Sequence, residues 1–355
     1  VKSEVAASCL SPLPSRTGWF TRLNSLTLRH VQALSYLFKV VLPVILTTGK
    51  RPVIFSRYAG MGDIICSIPT ALELKKRHPG ATFIYNCHAS SACIPGMGGL
   101  TEQITSCEQI GLVGYWYRWA LAGFYSFGSD DDDLTADHSE LFLVGYARRN
   151  GVTVKAEHPR LQVDSALVGK VKALRDKCGL ANGPLILIHP GPSYPVKHWP
   201  RESWAALTRE LQQETAGSLA QLGARVGSYA QVEAEQFQSI PGVVSLVGQL
   251  SLPETIALIA QADLFVGLDS GLLHIAASVG TPAVGLWGPT AHRFLYAESE
   301  SRYSVTSRVE CQGCHHRMPR LHWQTGCPYD AKCMKAIPVD EVLQACRAAL
   351  ASKTK

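Results

Sequence analysis

Three short stretches hold side chains that could do chemistry together. The first is Val266-Gly267-Leu268-Asp269-Ser270-Gly271, continuing through Leu272-Leu273-His274. An apolar run enters Asp-Ser-Gly, and a helical pattern starts at once. The free N–H groups of a helix start, beside a hydroxyl and a glycine that permits close approach, form an anion site. An ordinary N-cap uses the same residue types. His274, one turn into the helix, can point back to the same mouth, and the turns Gly280-Thr281-Pro282 and Trp287-Gly288-Pro289-Thr290 flank the same sheet edge. The second stretch is His189-Pro190-Gly191-Pro192 followed by Lys197-His198-Trp199-Pro200. It supplies a cation in a loop before a helix, and lysine as a point charge suits a diphosphate. A plain surface lysine is the alternative. The third is Arg57-Tyr58-Ala59-Gly60-Met61-Gly62-Asp63. Its Gly-x-Gly lacks the third glycine of a dinucleotide turn. A carboxylate directly after that turn repels phosphate and suits a proton acceptor.

The elements that position these residues repeat a strand–helix pattern. Residues 52–56 read as a short strand ending in the Gly60–Gly62 turn. Ile64, Ile65, Ile68, Ala71, Leu72 and Leu74 recur at helical spacing, and 81–85 reads as a second strand. A strand–helix–strand crossover makes the strands parallel. Residues 97–140 hold an aromatic run (Tyr115, Trp116, Tyr117, Trp119) and an acidic tract, Asp130 to Asp133, which reads as a solvated loop. The pattern resumes after His158-Pro159-Arg160. Strands are expected at 184–189, 243–246, 264–267 and 282–287, and helices at 204–211, 253–260, 271–279 and 338–350. The fold class is therefore α/β, with two doubly wound, Rossmann-like domains facing a cleft, and ligands belong outside the carboxyl ends of the strands.

A length of 355 residues favours two domains. The formal net charge is +6, and it sits in one place. Before Pro52 stand Lys2, Arg16, Arg22, Arg29, Lys39, Lys50 and Arg51 against Glu4 alone, so the rest of the chain is balanced. That argues against a nucleic-acid-binding body and for a basic leader that meets something anionic. Within it, residues 31–48 are the most apolar, interrupted by Lys39 and Pro43. A helix lying on a membrane surface and a helix packed on the following domain both fit. The resulting division is a leader over 1–52, a first domain over 53–165 and a second over 166–355.

Together the three stretches resemble glycosyltransferase family 9, the ADP-heptose lipopolysaccharide heptosyltransferases. The resemblance covers roughly residues 53 to 345. It rests on Gly62-Asp63 with Ile68-Pro69-Thr70-Ala71-Leu72, on Lys197-His198-Trp199-Pro200, and on Gly267 through His274 with Gly280-Thr281-Pro282 and Gly288-Pro289-Thr290. It implies a GT-B fold, an acceptor-binding first domain, a donor-binding second domain, and inverting transfer that needs no cofactor. On that resemblance Asp63 is the general base and Lys197 neutralises the departing diphosphate. Gly191, Ser270 and Gly271 line the donor site, with Asp269 and His274 shaping the turn. The family's ribose-binding Glu has no clear counterpart: Gln231 stands at its place, and Glu233 could substitute after a shift. The implied donor is an ADP-heptose-like nucleotide sugar. The implied acceptor is an envelope glycolipid, or alternatively a protein, on a cytoplasmic enzyme held at the inner face of the inner membrane. A nucleotide-sugar-binding scaffold without activity is the non-enzyme reading.

Most of the eleven cysteines stand singly in apolar stretches and read as small buried thiols. Cys311-x-x-Cys314, Cys327 and Cys333, with His315, His316 and His322 between, are spaced differently. The spacing suits a structural Zn or Fe knuckle, and a disulfide pair or separate thiols stay open. Similar clusters at this place are a family feature, and the implied catalysis does not use them.

Overall fold

Apolar runs without alternation become strands buried on both faces, as parallel sheets require. In the computed structural model, which describes residues 27–100, 103–107, 112–113, 125–127, 140–191, 194–224, 239–316 and 327–353, they form two sheets. The first contains Val53–Arg57 (β1), Phe83–Cys87 (β2), Gln103–Thr105 (β3) and Tyr125–Phe127 (β4), in the order β3-β2-β1-β4. The second contains Leu185–His189 (β5), Ser218–Gln221 (β6), Val244–Ser245 (β7), Leu264–Leu268 (β8), Ala283–Trp287 (β9) and Val305–Thr306 (β10). Its order is β10-β9-β8-β5-β6-β7. Every pairing is parallel.

That second order is doubly wound. The chain runs outward from β5 to β7, returns to β8, and runs outward the other way to β10. The strand order reverses between β5 and β8, and the crevice outside their carboxyl ends is where open α/β sheets bind ligands. The first sheet reverses in the same way between β1 and β4. The expected strands at 52–56, 81–85, 184–189, 243–246, 264–267 and 282–287 are all present, displaced by one or two residues.

The helices that matter here are Thr27–Thr48 (α1), Met61–Arg77 (α2), Phe142–Arg149 (α3), Ser165–Lys177 (α4), Arg201–Thr215 (α5), Leu252–Gln261 (α6), Gly271–Val279 (α7) and Val339–Lys353 (α8). A single cluster of buried side chains joins the two sheets through α2 and α7, and includes Phe55, Ile65, Ile68, Leu187, Phe265, Leu272 and Ile275. A second cluster packs α5 and α8 on the other side of the second sheet, with Trp204, Leu207, Val266, Val342 and Cys346. Gly280 ends α7 at φ 80°, a left-handed position that glycine takes without strain.

Helix α1 packs one face on the first sheet and leaves the other exposed. Ala33, Tyr36 and Val41 are buried against Ile54, Ile84, Cys107 and Val113, and Tyr36 Oη shares a 2.8 Å hydrogen bond with Thr105 Oγ1. The other face leaves Leu28, Val31, Phe38 and Leu46 exposed at 58, 55, 61 and 75%. By length and composition this 22-residue helix could cross a membrane. Residues 1–26, the aromatic run at 115–119 and the acidic tract lie outside the described residues.

Candidate active site

Strands β1 and β8 each run into a tight turn and a helix start, and the two helix starts meet. A Cβ on Gly271 would lie 2.7 Å from Met61 Cβ, and one on Gly62 would lie 2.7 Å from His274 Cδ2. Real Cβ atoms do not approach so closely, so glycine at both places is what lets the first turns of α2 and α7 touch. The free N–H groups of both helices are thereby brought to one junction.

On the first sheet's side, Asp63 Oδ1 accepts a hydrogen bond of 3.3 Å from Arg57 Nη2. Arg57 is buried at 3% exposure, whereas the Asp63 side chain is 38% exposed. The guanidinium sits over the rings of Phe142 and Tyr146, at 5.6 and 5.1 Å from their centroids. These cation–π contacts hold the arginine head at the end of β1, and the arginine in turn orients the carboxylate.

On the second sheet's side the carboxylate is enclosed. Asp269 Oδ2 accepts from Lys197 Nζ at 2.6 Å and from Thr290 Oγ1 at 2.7 Å. Lys197 Nζ also donates to the Asp269 carbonyl at 3.3 Å. Burial alone would raise the Asp269 pKa; Lys197, Thr290 and His274 outweigh it and hold the carboxyl below its ordinary range. Lys197 follows β5 and Asp269 follows β8, so this pair stands at the reversal of strand order. Ser270, the residue before α7, is extended at φ −157°, and its buried Oγ has no hydrogen-bond partner among the described residues. Gly191, in the loop after β5, is buried with φ 150°.

Behind the junction lies a chain of polar groups that the motifs did not reveal. His274 Nδ1 is 2.8 Å from His158 Nε2, and His158 Nδ1 is 2.8 Å from Glu300 Oε2. Glu300 Oε1 accepts from the His158 backbone N–H, also at 2.8 Å. The Tyr296 ring lies against both imidazoles, with centroids 4.6 and 4.8 Å away. Burial first, then the neighbouring His158, pushes His274 down to about 3, so the ring is neutral. Burial would raise Glu300, but the hydrogen bond from His158 outweighs it and lowers the carboxyl.

Cys66 Sγ lies 3.7 Å from His274 Nδ1 and 3.9 Å from His158 Nε2. These three donor atoms all fall within 4.8 Å of one another and could meet a metal ion. The 2.8 Å between the two nitrogens is a hydrogen-bond length. Two nitrogens sharing one tetrahedral zinc would stand about 3.3 Å apart, given Zn–N of about 2.0–2.1 Å.

The C-terminal cysteines gather at the β9 end. Burial first, then the nearby Cys311, Cys314 and Cys327, pushes Cys333 up to about 12. Cys314 N–H donates to Cys311 O at 3.1 Å across the turn, and Tyr329 N–H donates to Cys327 Sγ at 3.3 Å. A Cβ on Gly288 would come within 3.0 Å of Cys333 Sγ. Thus the structure brings together Asp63, Lys197, Asp269, Ser270, Gly271 and His274; the four C-terminal cysteines lie in one region, but their sulfurs do not converge as the donor atoms of Cys66, His158 and His274 do. Glu233 and His322 lie outside the described residues. Arg57, Cys66, His158, Thr290 and Glu300 were given no role by the sequence. Arg57 had a detectable signal in its place at a strand end, whereas His158 and Glu300 belong to no motif.

A profile for glycosyltransferase family 9 (heptosyltransferase) matches residues 146–323, half of the sequence. The chain belongs to glycosyltransferase family 9. The matched segment runs from α3 past the Cys-x-x-Cys turn and so contains Lys197, Asp269, Ser270 and His274. Among curated members of the family, lipopolysaccharide heptosyltransferase 3 of Escherichia coli K12 is 29% identical over 162 residues, covering 45% of this chain and 44% of that one. Lipooligosaccharide heptosyltransferase 2 of Haemophilus ducreyi is 33% identical over 157 residues, covering 42% and 43%. The chain thus spans less than half the length of these relatives. Solved structures agree on the GT-B fold over a longer stretch. A family 9 member from Veillonella parvula superposes with a TM-score of 0.64 at 14% identity, covering 85% of this chain and 97% of that one. The iron-containing dodecameric glycosyltransferase TibC from enterotoxigenic E. coli superposes at 0.63 with 16% identity, covering 86% and 77%. TibC is also solved in complex with ADP-D-β-D-heptose.

Proposed function

We propose that this chain is an inverting heptosyltransferase, moving a heptose or related sugar from an ADP-sugar to an envelope glycolipid. The observation that carries the reading is the meeting of two helix starts, one with a half-exposed carboxylate and one with a buried lysine–carboxylate pair. Residues 53–165 supply the acceptor side and residues 166–355 the donor side. The donor diphosphate sits at the start of α7, against the N–H groups after Ser270 and Gly271, with Gly191 giving its loop close approach. Lys197 adds positive charge there while anchored on Asp269.

In the reaction the acceptor hydroxyl attacks the anomeric carbon, its proton passes to Asp63, and the bond from that carbon to the diphosphate oxygen breaks, releasing ADP. The helix dipole and Lys197 stabilise the charge that develops on the leaving phosphate. The donor is already activated, so one base suffices, and the second carboxylate of a glycosidase is not required.

The cysteine group has the chemistry of a structural ion site. Cys311, Cys314 and Cys327 lie near enough to Cys333 to push its thiol upward, and thiolates hold Zn or Fe, but among the described residues the donor atoms that converge within 4.8 Å of one another are those of Cys66, His158 and His274. Such an ion would supply a local crosslink at the β9 end, and none of the transfer steps above runs through it. Helix α1 carries Arg29 and Lys39 beside its exposed Leu28, Val31, Phe38 and Leu46, with no acidic residue between Thr27 and Thr48. Its opposite face is docked on the first sheet, which supports a helix lying on anionic lipid rather than spanning it.

The decisive experiment is thermal unfolding against ADP, UDP, GDP and CMP at millimolar concentration, with intact chain and Lys197→Ala. Binding to the folded state raises the midpoint by mass action. A rise with ADP that is lost in the variant supports the reading, and ADP-heptose consumption with a glycolipid acceptor completes it. A response to UDP or GDP alone changes the donor. No response to any nucleotide overturns the transferase assignment.

A further inference from the structure

The interior of the domain junction is built around the hydrogen-bonded series Glu300–His158–His274, and its three members come from three separate parts of the chain. Glu300 lies in the short helix Glu298–Ser301, after β9. His158 precedes α4, in the segment that connects the two sheets. His274 lies in the first turn of α7, with its ring against Gly62 of α2: a Cβ built there would be 2.9 Å from Nε2. Such a series is worth assembling only if the last member must be held in one state.

The proton inventory fixes that state. Glu300 is held below the ordinary carboxylate range, so it is an acceptor. His158 Nδ1, at 2.8 Å, must then carry a proton. His274 is neutral, and its Nδ1 faces His158 Nε2 at 2.8 Å. His274 Nε2 faces the electropositive start of α2, where a lone pair is favoured over an N–H, so the single proton in the 2.8 Å bond is assigned to His274 Nδ1, with His158 Nε2 accepting it. His274 Nε2 is left unprotonated, with its lone pair toward the first turn of α2. That turn is the electropositive end of a 17-residue helix. A lone pair suits it, and an N–H or an imidazolium would be repelled.

We propose that Glu300 and His158 are positioning residues that fix the tautomer and ring orientation of His274, and thereby seat the helix start bearing Asp63 against the helix start bearing Ser270. The inference deepens the transferase reading, and its kinetic arm rests on that reading. Removal of the series leaves the ring free to turn over or exchange its proton, and the two helix starts lose their common reference. Catalysis then suffers more than donor binding, because Lys197, Asp269 and Ser270 all belong to the second sheet's side and stay in place.

The test is two-bond ¹H–¹⁵N spectroscopy of the histidine rings in the full chain, with His274 assigned by its loss in His274→Gln. It is paired with kinetics of ADP-heptose consumption for His158→Gln and Glu300→Gln. The expected result is an Nδ1–H tautomer of His274 in the unsubstituted protein, changed in both variants. Alongside it, kcat should fall roughly tenfold or more while the donor KM moves by no more than about threefold. Glu300→Gln keeps the shape and an acceptor, so it answers the question even if His158→Gln fails to fold. An Nε2–H tautomer in the unsubstituted protein overturns the proposal, as does a tautomer that neither variant changes. A cobalt(II) absorption band that disappears in Cys66→Ser also overturns it, because Cys66, His158 and His274 would then be ligands of an ion. If the tautomer behaves as expected but no nucleotide sugar is consumed, the series stands and the transferase reading falls.

Discussion

The two sides of the junction solve the same local problem with opposite outcomes. Each has a buried parallel strand, a tight turn, a carboxylate near a helix start and a cation to pair with it. In the Arg57–Asp63 pair the cation is enclosed at 3% exposure and the acid is open at 38%. In the Lys197–Asp269 pair both partners are enclosed, at 15% and 7%, and the acid has Thr290 as a second donor. An open carboxylate whose hydrogen bond to its arginine is long, at 3.3 Å, can exchange a proton with a ligand. An enclosed one with two short bonds is committed to holding its neighbours. The residue type is the same, and burial assigns the work.

The sharpest way to break this contrast is Asp63→Asn. Loss of a positioned base costs about 10²–10⁴-fold in transfer, and the unfolding midpoint should fall less than for the enclosed pair, because the Asn amide oxygen can still accept from the buried Arg57. A variant that keeps most of its rate would remove Asp63 from the base role. Asp269→Ala should do the reverse at first sight, with a stability loss of about 3–5 kcal/mol from leaving Lys197 enclosed without its partner. Denaturant unfolding reads it, and a loss below about 1 kcal/mol would make the two sides equivalent after all.

Acid should expose the difference too. His189 and His274 are pushed by burial to about 4 and about 3. The unfolded chain takes up their protons from about pH 6.5 downward, so stability falls as pH drops through that window. Asp269, whose folded pKa is depressed, adds a further loss as pH falls below the ordinary carboxylate range. His189→Gln should flatten the upper part of the melting-temperature profile between pH 6.5 and 4; an unchanged profile would reject the neutral buried ring as its source. The smallest effect is expected far from the junction. Phe38→Glu with Leu46→Glu should leave stability within about 0.5 kcal/mol per site while reducing co-sedimentation with anionic vesicles. Unaltered vesicle binding would leave α1 as packing alone.

What could be read from the sequence follows the range of the forces involved. Strand and helix periodicity is local, so 264–267, 271–279 and 282–287 were found nearly at their observed limits. Asp63, Lys197 and Ser270 could be proposed from the sequence because a turn after an apolar run is also local. Helix α4 was missed because it buries only Val171, and its pattern is weak. The bond between Lys197 and Asp269 spans 72 residues, and that between His158 and Glu300 spans 142, so neither leaves a spacing to detect. Lys197 was expected to act on a diphosphate alone, and the structure adds that its ammonium is already anchored.

The contact between Gly271 and Met61 has a consequence of its own. With no side chain on one partner, the Gly271 backbone rests directly on the Met61 side chain, so a single side chain's thickness separates the two helix starts. Ala, Ser and Val at Gly271 would then act as shims of increasing thickness inserted between two machined faces. The distance from an incoming hydroxyl to the bond it must break would become an adjustable dimension of the molecule, legible as a graded series of rates.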